Sequence, residues 1–161
     1  MPYMTVKLRP MTSSEFDSVV NDAFAGYLAE RVAAGQTRQE DVAAETRRQR
    51  EQYLPDGVAT ERMLLYIGEV DGERIGWIWL ALPGVANHPD TAWVYNVVVD
   101  AEHRGKGYGR GLMLAAEREL VERGVSRLGL NVFGTNKTAI RLYERLGYQV
   151  ITQQMTKPLT D

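Results

Sequence analysis

Glycines and basic side chains crowd six residues past the middle of the chain: Arg104, Gly105, Lys106, Gly107, Tyr108 and Gly109, with Arg110 directly after. The chemistry this spacing allows is anion binding. Glycine lets backbone N–H groups turn toward a ligand with no Cβ in the way. Leu112, Met113, Ala116 and Leu120 follow at helical spacing, and a helix opens with free amides and a positive dipole end. Arg104, Lys106 and Arg110 add charge, so the stretch suits a phosphate or pyrophosphate. Upstream, Val97, Val98 and Val99 are a β-branched run that reads as a buried strand, and residues 100–103 are a polar turn. A flexible turn carrying a solvated basic cluster would contain the same residues.

Two better-known phosphate loops do not fit. A P-loop ends in Gly-Lys-Ser/Thr, and no Ser or Thr lies between Asp100 and Val125. A dinucleotide fingerprint counted from Gly105 and Gly107 requires glycine where Arg110 stands. What remains is R-x-x-G-x-G, from Arg104 to Gly109. Downstream, residues 131–148 read NVFGTNKTAIRLYERLGY. They fill the pattern N-x-x-A-x-x-L-Y-x-x-x-G-F/Y with Asn136, Ala139, Leu142, Tyr143, Gly147 and Tyr148. In this order and at this separation, the two motifs resemble the GNAT acyltransferase superfamily. The motif-bearing resemblance covers about residues 91–150; the first ninety residues fit it in outline.

The resemblance implies acetyl-CoA (coenzyme A) as cofactor and direct transfer of an acetyl group to a primary amine of a small molecule or peptide. It places the pantetheine arm along the edge of the central strand at Val97, Val98 and Val99. The pyrophosphate falls on the amides of Arg104, Gly105, Lys106, Gly107, Tyr108, Gly109 and Arg110. Asn131, Asn136, Ala139 and Tyr143 complete the cofactor residues. Tyr143 becomes the acid that protonates the leaving thiolate. Some family members carry a glutamate base near the start of the central strand, but here Ala92, Trp93 and Val94 stand there and Asn96 cannot serve. Water, or a distant carboxylate such as Glu30 or Glu61, would then take the proton. The missing carboxylate also motivates an alternative, a non-catalytic acyl-CoA-binding or sensing domain. The acceptor site of the family lies at the first two helices and the loops flanking the central hairpin, where Tyr27, Trp77, Trp79, Trp93 and Tyr95 either line it or pack the core.

The rest of the chain must position these groups. Its 161 residues suit one domain over 1–161. At 44% hydrophobic and 25% charged, the composition is that of an ordinary globular protein. A net charge of −2 argues against nucleic acid or an anionic membrane as partner. The apolar stretch 77–86 is too short to span a bilayer, and the N-terminus lacks a signal-peptide layout. The absence of cysteine is compatible with the cytoplasm and removes thiolate chemistry. His88 and His103 sit in no spaced ligand cluster and read as loop histidines, so no metal is expected. No serine lies in a nucleophile elbow. A homodimer is expected of such a domain.

The elements follow from capping, period and turns. A strand over 3–9 precedes a capping box, Thr12 with Glu15, and a helix to about Ala34 whose apolar side chains recur at helical spacing. Gly35 stops it. A second capping box, Thr37 with Glu40, opens a polar helix to about Tyr53, with Glu45–Arg48 and Arg47–Glu51 as side-chain pairs. Strands over 63–70 and 74–81 flank an Asp71–Gly72 hairpin turn. The central strand covers 91–99, a third helix 107–123, a fifth strand 127–133, a fourth helix 136–146 and a last strand 148–157. On that fourth helix, spacings of three, four and seven put Asn136, Ala139, Ile140 and Tyr143 on one face. The expected fold is α/β, a mixed, splayed central sheet flanked by four helices in the GNAT order β-α-α-β-β-β-α-β-α-β.

Overall fold

A computed structural model describes residues 5–160. Two compact units make up the chain, Met1–Asn131 and Val132–Asp161. In the first, five strands form one sheet in sequence order: β1 (Lys7–Pro10), β2 (Met63–Val70), β3 (Glu73–Ala81), β4 (Ala92–Val99) and β5 (Leu128–Leu130). The first four pair antiparallel and β4 pairs with β5 parallel, so the sheet is mixed as expected. Three helices belong to this unit: α1 (Ser13–Ala33), α2 (Val42–Tyr53) and α3 (Tyr108–Glu122). Among the described residues, no helix is long and apolar enough to cross a membrane.

Local chemistry sets the element ends. The Thr12–Glu15 capping box forms in both directions, Thr12 N–H to Glu15 Oε1 at 2.9 Å and Glu15 N–H to Thr12 Oγ1 at 3.1 Å. Phe16, Val20, Phe24 and Leu28 then recur every four residues and are buried. The hairpin between β2 and β3 turns through Asp71 and Gly72, both at positive φ (52° and 79°), the geometry that matches strand twist. The second capping box does not form. Arg38, not Thr37, precedes the first turn and Asp41 precedes α2, neither with a side-chain cap, and the chain enters α2 through a 3-10 turn, Gln39–Asp41. In α2, Glu45 pairs with Arg48, whereas Arg47 and Glu51 are both exposed and form no ion pair among the described residues.

The two sheet faces have different cores. Phe16, Val20, Phe24, Met63, Leu65, Ile67, Trp77 and Trp79 fill the α1–α2 side. Val6, Ile75, Leu112 and Ala115 lie on the α3 side. Here α3 approaches very closely: a Cβ on Gly111 would sit 2.6 Å from Val6 Cγ2, and one on Gly68 would strike Leu112 Cδ2. Glycine at both places lets the helix seat on β1 and β2.

Three strand expectations are corrected. Strand β1 begins at Lys7; Tyr3 and Met4 lie outside the described residues. Strand β5 shrinks from 127–133 to three residues, because its ladder with β4 ends at Val94. The last strand, 148–157, does not form. In the second unit α4 (Lys137–Arg145) is the one regular element among the described residues, and residues 148–160 have no strand there to pair with. A strand exists only through ladder partners, so this segment stays irregular, with Tyr148 half-buried and residues 149–160 exposed. The four helices and mixed sheet otherwise stand as expected.

Candidate active site

The glycine loop leaves β4 at a pinned corner. Asp100 N–H bonds to Ile75 O at 2.9 Å, and the Asp100 carboxylate takes Arg74 Nε at 3.0 Å. A 3-10 turn, Ala101–His103, follows, with His103 N–H bonding back to Asp100 O at 2.8 Å. Arg104 is exposed, yet its Nε returns to Val99 O at 3.3 Å, tying the start of the motif to the end of the strand. Gly105 and Gly107 adopt left-handed φ of +77° and +84°, which side-chain-bearing residues avoid.

Gly107 is also the N-cap of α3, and no side chain caps it. The first intrahelical bond is Gly111 N–H to Gly107 O at 3.2 Å. The amides of Tyr108, Gly109 and Arg110 therefore stand at an uncapped helix start. Arg104, Lys106 and Arg110 are exposed around them, and Tyr108 and Gly109 are half-buried. Dipole, amides and cations all favour an anion at this spot.

Beside the loop, β4 offers an open edge. Strand β5 pairs only with residues 92–94, so residues 95–99 have no strand beyond them on that side among the described residues. The pairing thus ends in the region where the sequence reading expects the sheet to splay. The opening coincides with a bulge: Trp79 pairs with Asn96 and Leu80 with Val94, leaving Tyr95 as the extra residue. Val97, Val98 and Val99 are half-buried, Val97 and Val99 against the α3-side core and Val98 against the α1–α2 side. An extended amide-bearing ligand can satisfy such an edge as an added strand would.

Tyr95 belongs to an aromatic cluster that spans α1, α2, β3 and β4. Its ring lies 4.8 Å from Trp79 and 5.4 Å from Tyr53; Phe24 and Tyr53 also meet Trp79 at 5.7 and 6.5 Å. Burial pushes the Tyr95 phenol up to about 12, with the neighbouring Tyr53 and Tyr27 adding to it. Of the expected acceptor-side aromatics, Trp77 and Trp79 are core, at 4% and 5% exposed, while Trp93 and Tyr95 are half-buried and Tyr27 is 43% exposed. His88 stacks flat on Trp93 at 3.9 Å.

In the second unit, Asn136 is not on the helix face but is the N-cap of α4, its Oδ1 accepting Ala139 N–H at 3.2 Å. The expected four-residue face thus loses its first member to capping. Ala139, Ile140 and Tyr143 are half-buried. The Tyr143 ring meets Tyr148 edge-on at 5.9 Å, and burial raises its phenol pKa above the ordinary value. A tyrosine so held stays protonated at neutral pH and can give a proton. Asn131 ends the first unit, just past β5, and is exposed.

No carboxylate lies at residues 92–94, and Glu30 and Glu61 are both exposed. The described residues contain no group of three or more His, Cys, Asp or Glu able to hold a metal. Two residues were missed in the sequence. Tyr53 carries a signal: Val42, Gln49 and Tyr53 recur at helical spacing as the less exposed stripe of α2. His103 carries none, since a histidine in a polar turn looks solvated, yet it is 8% exposed.

Comparison with known proteins gives the family and the fold. A model of the acetyltransferase (GNAT) family matches residues 28–148. The uncharacterized N-acetyltransferase YycN of Bacillus subtilis is 33% identical over 159 residues, 97% of this chain and 100% of that protein. The YycN crystal structure superposes with a TM-score of 0.89 at 30% identity, covering 98% of this chain and 100% of that one. PaiA N-acetyltransferase of Thermoplasma acidophilum, solved with coenzyme A, shares the fold with a TM-score of 0.64 at 18% identity, covering 94% of each chain. With its glycine loop at an uncapped helix start and its splayed mixed sheet, this chain belongs to the GNAT acetyltransferase family.

Proposed function

We propose that the chain is an acetyl-CoA-dependent N-acetyltransferase acting on a primary amine of a small molecule or peptide, its family domain spanning 1–161. The observation that carries this reading is the uncapped start of α3 beside the open edge of β4. The first suits a pyrophosphate, the second an extended chain of amides, and coenzyme A contains both. When bound, the cofactor supplies an acetyl thioester whose carbonyl an amine can attack.

On this reading, Val97, Val98 and Val99 offer their backbone groups to the pantetheine amides. The amides of residues 104–110, with the Arg104, Lys106 and Arg110 cations, hold the pyrophosphate. Asn131, Asn136 and Ala139 complete the cofactor residues by resemblance to the family. Tyr143 returns a proton to the leaving sulfur. The acceptor must arrive neutral, since an alkylamine has a pKa near 10.4 and loses a proton before attack. With no carboxylate at the start of β4, water carries that proton away. The half-buried aromatics Tyr53 and Tyr95, with exposed Tyr27, form the acceptor side. Such a protein works in the cytoplasm as a homodimer, with no metal, nucleic acid or membrane.

Calorimetry with acetyl-CoA and thiol release over a panel of amines, peptides and aminoglycosides test the proposal. Binding with turnover of at least one amine is expected; no binding overturns it. Binding without turnover on any amine selects the second reading, an acyl-CoA sensor, which the missing carboxylate favours. Tyr143→Phe separates the roles within the first reading. Turnover should fall roughly ten- to ten-thousand-fold with cofactor affinity nearly unchanged. Near-normal kcat with a lowered Tm would make Tyr143 a packing residue.

A further inference from the structure

The turn that launches the glycine loop holds a buried histidine with nothing to bond to. His103 is 8% exposed, and neither Nδ1 nor Nε2 has a hydrogen-bond partner. Buried ring nitrogens normally find partners, so each exception asks for a reason. The ring packs edge-on against Tyr108, the first residue of α3, at 5.8 Å. Next to Nε2 stand two carboxylates, Glu73 Oε1 at 3.4 Å and Glu102 Oε1 at 3.9 Å. Both glutamates are mostly exposed, with side chains 72% and 80% accessible, so they can move onto the ring. Asp100 pairs with Arg74; Arg104 bonds Val99 O through Nε and keeps its positive charge, and with Lys106 and Arg110 it opposes a further cation until an anion fills the loop.

A neutral imidazole meets these carboxylates with at most a neutral N–H at Nε2, whereas a protonated one meets them as an ion pair; Nδ1 has no partner in either form. A protonated one has two donors, and Nε2 already faces carboxylates. Its positive charge also lies one residue from the anion-binding loop, and a bound anion lowers the energy of a nearby cation. Histidine is the side chain whose charge changes between about pH 5 and 8. We propose that His103 is a proton-linked positioning residue: it takes a proton from solvent when the cofactor's phosphates fill the loop, and the imidazolium then clamps the 3-10 turn to Glu73 of β3 and to Glu102. This inference rests on the acetyltransferase reading above. By linkage the effect is reciprocal, so coenzyme A binds more tightly as pH falls through that range.

Calorimetry of coenzyme A binding to the whole chain tests it, at several pH values and in two buffers of different ionisation enthalpy. Phosphate itself titrates near pH 6, so the comparison that counts is wild type against His103→Phe, which keeps an aromatic ring against Tyr108. The wild type should lose about five-fold more affinity than the variant between pH 6 and 8. It should also take up more protons on binding than the variant does. Glu73→Gln should reduce the difference. An identical pH slope in wild type and His103→Phe overturns the proposal and leaves the acetyltransferase reading intact; no binding at any pH overturns both. Should His103→Phe fail to fold, NMR of the wild type decides: the chain has two histidines, and a His103 ring resonance that does not move toward the protonated form on coenzyme A addition overturns the proposal.

Discussion

The two faces of the sheet in the first unit solve different problems. The α3 face is aliphatic and close-packed, with Leu112, Met113 and Ala116 wholly buried and glycine at the two closest approaches, Gly68 and Gly111. It holds a helix start at a fixed height above the sheet, which is what backbone amides need if they are to converge on a phosphate. The α1–α2 face is aromatic and graded. Trp77 and Trp79 are core, Tyr53 and Tyr95 are half-buried, and Tyr27 reaches solvent. Such a surface presents ring faces and hydroxyls rather than one fixed set of donors. On the proposed reading, the contrast makes cofactor recognition a matter of backbone placement and leaves acceptor recognition to side chains.

Substitutions can break this contrast, beginning with the largest expected effect. Leu112→Ala opens a cavity under α3 and should cost about 2–5 kcal/mol in urea unfolding. Coenzyme A affinity should fall with it, because the helix start loses its seat. A large loss of stability with unaltered affinity would mean that the loop holds its shape without α3. Gly107→Val comes next. Its left-handed φ of +84° makes a β-branched residue strained, at about 1–2 kcal/mol, so weakened coenzyme A binding alone would not separate loop chemistry from strain. Gly107→Asn separates them, since asparagine tolerates that conformation: it should fold at near wild-type stability and still bind coenzyme A. Failure of Asn to outperform Val in thermal melts would refute the backbone account.

On the other face the effects are smaller. Arg9 hydrogen-bonds Glu15 through two contacts of 2.8 Å and holds its carboxyl down to about 2. The folded pKa lies below the usual 4.5, so the stabilisation is present above that value and is lost as pH falls from 4.5 toward 2. Arg9 is partly exposed, and the charge is worth about 0.5–1 kcal/mol. Glu15→Gln, which can still serve the capping box, should trail wild type by that amount at pH 7 and match it near pH 2. A gap that persists in acid would assign the effect to packing. Smallest of all, Tyr95→Phe should alter stability by less than about 0.5 kcal/mol. It should leave coenzyme A affinity unchanged while shifting the acceptor KM, and it should remove a phenol that ionises near pH 12 in ultraviolet titration. A shift in cofactor affinity instead would erase the division of labour between the faces.

What could be read beforehand was whatever local chemistry decides. Thr12 and Glu15 cap each other because three-residue spacing suffices, and Asp71–Gly72 turns because two residues at positive φ suffice. The glycines of the loop announce themselves in the same way. Tertiary pairing decided the rest. Residues 127–133 are apolar enough for a longer strand, but β5 extends only as far as β4 stays beside it. Residues 148–157 contain the β-branched Val150, Ile151 and Thr152, yet no neighbouring strand in their unit completes a ladder. The bulge at Tyr95 hides inside a nearly continuous apolar run, and the burial of His103 depends on Tyr108 and on the start of β3.

The bulge also changes how the central strand is written. Before it, the odd positions Trp93 and Tyr95 face the aromatic side; after it, the odd positions Val97 and Val99 face α3 and the even Val98 faces the aromatics. One residue thus reverses the parity of the strand, as an inserted beat shifts a rhythm. Deleting Asn96, the residue between Tyr95 and Val97, would restore strict alternation with Trp93, Tyr95 and Val98 still toward the aromatics and Val97 and Val99 still toward α3. Point substitutions on either half should stay confined to one face, and a one-residue deletion at the phase boundary should leave both faces packed while removing the bulge beside the open edge of β4.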